Sequence, residues 1–140
     1  MRIKISQFTI DAYEQVMAMW TEIPGIGLSD ADSKENINRY LDRNPGMSFF
    51  AEKDGRIVGA VLCGHDGRRG YIHHLAVQAN YRRQGIGRKL IDNCISALEN
   101  MGIKKCHLLI FNDNKVGMKF WESLDWSHRS DIRVMSKTIP

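Results

Sequence analysis

No stretch of this chain is apolar for the roughly 18 to 20 residues that a membrane-spanning helix needs. The opening segment MRIKISQFTI has no apolar core running into a small-residue cleavage site, so neither a membrane protein nor an exported one is expected, and the cytoplasm is the expected compartment. Cysteine is scarce. Cys63, Cys94 and Cys106 are odd in number, far apart and without a CxxC pair, which argues against a disulfide framework and a zinc site and for free, buried thiols. No metal is expected. Three scattered prolines, no repeat, no low-complexity tract and no linker leave the 140 residues reading as one domain, residues 1–140.

Hydrophobic residues make up 43% and charged residues 26%, close to the averages of globular proteins, which excludes a disordered or fibrous chain. The net charge of +4 comes from 20 basic and 16 acidic residues. It is unevenly spread. Between Asp66 and Asp92 stand Arg68, Arg69, Arg82, Arg83, Arg88 and Lys89 with no acid among them, so an anionic partner is expected there.

Hydrophobic periodicity divides the chain. After a short strand at Ile3–Ile5, Thr9 can cap a helix carrying Ile10, Tyr13, Val16, Met17 and Trp20, and a second amphipathic helix carries Ile37, Tyr40 and Leu41. From Ser48 the period shortens to that of strands. Asp54-Gly55 is a strong hairpin signal, and YIHHLAV, Tyr71 to Val77, is the third strand of an antiparallel meander. A helix with Ile86, Leu90, Ile91, Cys94, Ile95 and Leu98 on one face should stop at Gly102. A buried strand over Lys104–Phe111 follows. Asn114 can then cap a helix with Val116, Phe120, Trp121 and Leu124 facing inward, and an alternating strand, Asp131–Ile139, ends the chain. The fold class is α+β, a mostly antiparallel sheet with helices packed over it.

The segment YRRQGIGRKL joins the third strand to the helix. A strand-to-helix turn exposes backbone N–H groups at the positive end of the helix, where phosphate binds, and a Cβ at Gly85 or Gly87 would hold the anion away. Arg82, Arg83 and Arg88 add charge-assisted hydrogen bonds. A P-loop is excluded because Arg88-Lys89 follows Gly87, and a dinucleotide fingerprint because Leu90 stands where its third glycine belongs.

The segment Arg82 to Gly87, R-x-x-G-x-G after a strand ending in LAV, resembles the acetyl-CoA signature of the GNAT-type N-acetyltransferases, and NKVGMKFW, Asn114 to Trp121, resembles the family's Asn-x-x-Ala-x-x-Phe-Tyr segment. The resemblance implies a mixed, mostly antiparallel sheet with a splayed strand pair and helices on both faces. It implies acetyl-CoA as co-substrate, its arm against Leu75, Ala76 and Val77 and its pyrophosphate against Arg82, Arg83, Gln84, Gly85, Ile86, Gly87 and Arg88. Asn114, Gly117 and Trp121 would complete the cofactor site, and relatives are commonly dimers. The activity implied is transfer of an acetyl group to a primary amine, small molecule or protein, by direct attack on the thioester.

Two positions depart from the pattern. Trp121 stands where many relatives carry a tyrosine that protonates the thiolate, and an indole N–H is no practical acid. Asp125 stands where a glycine is usual. The candidates for the proton transfers are therefore His73 or His74, which titrate near neutral pH, and Tyr81 beside the cradle. Adjacent strand residues point to opposite faces, so one histidine at most is expected to reach the cleft. Loss of the tyrosine also leaves open a non-catalytic acyl-CoA binding or sensing module. Nucleic-acid binding is not expected, because the cations surround glycines and are not interleaved with exposed aromatics. Asp30 and Asp32 can attract a cationic amine or cap the following helix.

Overall fold

Asp54 and Gly55 both take left-handed backbone, φ 54° and 76°, as the two central positions of a tight hairpin turn require. In this computed structural model, which describes residues 2–140, the turn joins β2 (Phe49–Lys53) to β3 (Arg56–His65) with Lys53 opposite Arg56. β1 (Lys4–Gln7) pairs antiparallel with β2, and β4 (Gly70–Val77) pairs antiparallel with β3. β5 (Cys106–Leu108) lies parallel to β4, so a crossover is needed, and α3 (Ile86–Asn100) supplies it. The sheet order is β1-β2-β3-β4-β5. The residues fall into two compact units, one ending at Leu109 and the other spanning Ile110–Pro140.

In the first unit helices cover both faces of the sheet. Val16, Met19 and Trp20 of α1 (Tyr13–Glu22) and Ile37 of α2 (Lys34–Arg43) bury against Ile57, Ala60, Leu62 and Ala76. α3 takes the opposite face, where a Cβ on Gly59 would stand 3.2 Å from the Leu90 side chain and one on Gly70 would stand 2.7 Å from Leu98. Glycine is needed there because the helix approaches so closely. Each large aliphatic side chain buried in these layers contributes about 1.5–3 kcal/mol.

Two buried polar groups tie the layers together. Asn44, at the end of α2, accepts the His65 N–H at 3.0 Å and donates to the Tyr40 carbonyl. The Ser48 hydroxyl accepts the Cys63 N–H at 3.0 Å. All three cysteines are free thiols, Cys63 and Cys94 buried and Cys106 half-buried, and burial pushes the Cys106 thiol up to about 12.

β4 carries an irregularity. Ala60 pairs with Ala76 but Leu62 pairs with His73, so His74 and Leu75 together oppose Val61, and His74 takes left-handed backbone at φ 54°. This bulge cancels the alternation expected of adjacent residues. The His73 ring meets Tyr40 edge-on at 6.0 Å and the His74 ring meets Trp20 at 5.1 Å, so both histidines face the layer of α1 and α2.

Other expectations are corrected in the first unit. Thr9 makes no side-chain cap, and a 3-10 turn, Ile10–Ala12, precedes α1. The strand expected over Lys104–Phe111 shrinks to β5, with Leu109 and Phe111 exposed. No helix among the described residues is long and apolar enough to cross a membrane.

The second unit holds α4 (Lys115–Ser123). Asn114 caps it as expected, accepting the Gly117 N–H at 2.9 Å. Trp121 stacks edge-on with Phe120 and Trp126, while Val116, expected to face inward, is 76% exposed. Glu122 pairs with His128, and Arg129 forks onto Asp131. The strand expected over Asp131–Ile139 does not form, and Ile132, Val134, Met135 and Ile139 are exposed. Alternation marks a segment that fits a sheet but supplies no neighbour to satisfy its backbone groups.

Leu90 is fully buried between α3 and β3, so Leu90→Ala should lower the unfolding free energy by about 2–5 kcal/mol, read by urea denaturation. Burial, aided by neighbouring His74, holds the His73 pKa below its ordinary value against the opposing pull of Asp32. As the pH falls below about 6.5 the unfolded chain takes up a proton that the folded His73 refuses, so stability falls with pH. In His73→Gln this acid-side loss should be shallower, measured as urea midpoints between pH 7 and pH 5.

Candidate active site

The open edge of the sheet is set by where β5 stops. Only Gly70, Tyr71 and Ile72 of β4 pair with it, and His73 to Val77 run on with β3 as their one neighbouring strand. Leu75, Ala76 and Val77, expected to lie against the cofactor arm, are on this unpaired stretch. Beyond the bulge the Gln78 N–H reaches back to the Val58 carbonyl at 2.8 Å, so by alternation the Val77 backbone groups turn outward. The Val77 carbonyl there accepts Arg82 Nε at 3.0 Å. Arg82 is thus anchored to the strand edge by one nitrogen and keeps its other two free.

The chain then makes a 3-10 turn, Ala79–Tyr81, and two of the next residues adopt left-handed backbone: Arg83 at φ 64° and Gly85 at φ 78°. For a non-glycine residue this costs about 1–2 kcal/mol. Gly85 is the N-cap of α3 and offers no side chain to its first turn. The first bond back to the cap is Lys89 N–H to the Gly85 carbonyl, 3.0 Å, so the N–H groups of Ile86, Gly87 and Arg88 have no acceptor among the described residues. A Cβ at Gly85 would meet nothing within 4 Å, so there is open space at the cap. Arg82, Arg83 and Arg88 are exposed and make no ion pair among the described residues. Orphan amides, free guanidinium groups and room beside them fit a pyrophosphate.

Lys53 joins this cradle from β2, a position that no sequence motif marked. Its ammonium lies 3.4 Å from Gln84 Oε1 and 5.7 Å from the centre of the Tyr81 ring. By contrast, Arg68 and Arg69 belong to a solvated turn that the Asp66 carboxylate holds through both their N–H groups.

Sequence reasoning also missed the partner of His74. Ser29 and Asp32 form a capping box, in which Asp32 Oδ2 accepts the Ser29 N–H at 3.0 Å. The other oxygen, Oδ1, lies 2.9 Å from His74 Nε2, with the Asp32 side chain 7% and the His74 side chain 18% exposed. The Tyr13 hydroxyl donates to the Asp32 carbonyl at 2.6 Å. The S-x-x-D spacing was a signal for the cap; nothing in it pointed 42 residues ahead to His74. Asp30 sits in the same turn, and its carbonyl accepts the Asn36 side chain.

The first unit therefore brings together the strand edge at Leu75 to Val77, the loop Arg82 to Arg88, both histidines and Tyr81. Asn114, Gly117 and Trp121 lie in the second unit. There a Cβ on Gly117 would come within 2.7 Å of the Asn114 amide that caps the helix.

Comparison with known proteins agrees with this geometry. An acetyltransferase of Pectobacterium atrosepticum is 32% identical over 98% of this chain and 96% of its own length. An aminoglycoside acetyltransferase from an uncultured soil metagenomic sample, solved in complex with sisomicin, superposes with a TM-score of 0.76 at 21% identity, over 99% of this chain and 97% of that one. The PaiA N-acetyltransferase of Thermoplasma acidophilum, solved with coenzyme A, gives 0.74 at 19% identity over 89% of each chain. The model of the acetyltransferase (GNAT) family matches residues 13–126, through strand edge, cradle and α4 alike, and the chain belongs to that family of acyl-transferring enzymes.

Proposed function

We propose that the protein moves an acetyl group from acetyl-CoA to a primary amine by direct attack on the thioester. The observation that carries this reading is the row of unsatisfied amides at Ile86, Gly87 and Arg88, with unpaired arginines beside it and the bare edge of β4 leading to it. Arg82, Arg83 and Arg88, with Gln84 and Lys53, would hold the pyrophosphate, and the β4 edge at Leu75, Ala76 and Val77 would bind the amide-bearing arm as a false strand. Bound there, acetyl-CoA supplies an acyl group already activated for transfer. The chain contributes position: a backbone N–H near Leu75 to receive developing charge, and a group to take the amine's proton.

His73 and His74 stand beside that edge, and Tyr81 carries its phenol next to the cradle. Asn114, Gly117 and Trp121 keep the cofactor role that the family pattern gives them. The family match over both units supports reading the 140 residues as one transferase domain. A purely acyl-CoA-sensing role has less support, because a relative named as an acetyltransferase aligns along nearly the whole chain.

Calorimetric titration of acetyl-CoA is the decisive measurement. The parent should bind and Gly85→Glu, which puts a carboxylate in the cradle, should not. Absence of binding by the parent would overturn the proposal. Free-thiol release with a panel of polyamines, aminoglycosides, amino acids and peptide N-termini then selects the acceptor. Binding without turnover on any of them would favour the sensing role, and Tyr81→Phe with undiminished turnover would remove the phenol from the chemistry.

A further inference from the structure

We propose that Asp32 is a positioning residue for His74, and that the pair takes the proton an acceptor amine gives up. The inference rests on the amine-transfer reading above and adds a residue to it. His74 lies on the stretch of β4 that β5 leaves unpaired, next to Leu75, and the bulge turns its ring toward the layer of α1 and α2. Two contacts hold the ring there. Trp20, itself almost fully buried, meets it edge-on at 5.1 Å, and Asp32 Oδ1 lies 2.9 Å from Nε2. The carboxylate is itself fixed, since its second oxygen accepts the Ser29 N–H.

Opposite an ionised carboxylate Nε2 must carry the hydrogen, which leaves the Nδ1 lone pair as the acceptor. Nδ1 has no hydrogen-bond partner among the described residues, and it is not sealed off. The side-chain nitrogens and oxygens that are both buried and unpartnered are Trp20 Nε1 and the Tyr40 hydroxyl. The other titratable and charged groups nearby are His73 on the same strand, Tyr13 of α1 bound to the Asp32 carbonyl, and the Glu14–Lys34 ion pair, 2.9 Å, beside Tyr13. Glu14 and Lys34 pair with each other, and Asp32 is the charged group in contact with the imidazole.

The step balances as follows. The amine enters as the free base, its nitrogen forms a bond to the acetyl carbonyl carbon, the carbon–sulfur bond breaks, and sulfur leaves with the bonding pair as thiolate. The proton shed by the nitrogen goes to His74 Nδ1, Asp32 stabilises the resulting imidazolium, and solvent then receives the proton.

Asp32→Asn and His74→Asn test this. An asparagine at position 32 can still accept the Ser29 N–H, and one at position 74 tolerates left-handed backbone, so the cap and the bulge are kept. Nitrogen-15 spectra of the imidazoles should show His74 as the Nε2–H tautomer in the parent and a shift toward the Nδ1–H tautomer in Asp32→Asn, where the amide nitrogen faces Nε2 while the amide oxygen keeps the Ser29 cap. With the amine selected by the panel, kcat should fall about 100-fold or more in His74→Asn and less in Asp32→Asn, with KM for acetyl-CoA unchanged in both. An unaltered tautomer and unaltered kcat in Asp32→Asn overturn the proposal. Failure of the parent to bind acetyl-CoA in calorimetry overturns the transferase reading instead, and this inference with it.

Discussion

β4 and β5 share three register pairs and no more, and the open edge of β4 depends on that short pairing. A β4 paired along its whole length would have its outward N–H and C=O groups satisfied and nothing to offer a ligand. Ending the pairing at Ile72 leaves His73 to Val77 with one neighbouring strand, and the Val77 carbonyl finds an acceptor's role only through Arg82. One missing strand contact thus creates a binding edge and anchors the first arginine of the cradle at its far end.

The same region concentrates unfavourable backbone. His74 and Arg83 are both left-handed without being glycine, each at a cost of about 1–2 kcal/mol. Strain of this kind persists only where surrounding contacts determine it. For His74 those contacts are Asp32 and Trp20, which belong to the layer above the sheet, so the bulge and the loop before α2 hold each other in place. For Arg83 the adjoining Gly85 completes the reversal that brings the first amides of α3 to the surface. Stability is lower there than an ideal sheet and helix would give, and the exposed polar groups are the return.

Much of this was legible in the sequence because it is local. The Asp54-Gly55 hairpin, the stop at Gly102, the Asn114 cap and the glycine-rich entry to α3 each depend on residues a few positions apart, and all four formed. The features that escaped depend on a partner elsewhere. The bulge follows from how β4 registers on β3, and it reversed the reading that His73 and His74 diverge. Asp32 was legible as a cap and illegible as a histidine partner, because the spacing that carries the cap is three residues and the one that makes the pair is 42. The Asp131–Ile139 segment failed for the same reason in reverse: alternation was present and the neighbour was not.

The replacement of the family's tyrosine by Trp121 is easier to tolerate than loss of a proton acceptor would be. A thiol is more acidic than an alkylammonium, so sulfur can leave as thiolate at neutral pH and take its proton from solvent afterwards. An alkylamine with a pKa near 10.4 must lose a proton first, and at pH 7 that costs about 4 to 5 kcal/mol. The larger demand therefore lies on the amine side. On the amine side the proposed acceptor is an imidazole held by a carboxylate at 2.9 Å on the stretch of β4 that β5 leaves unpaired, while the leaving side would have Tyr81 and the cations of the cradle.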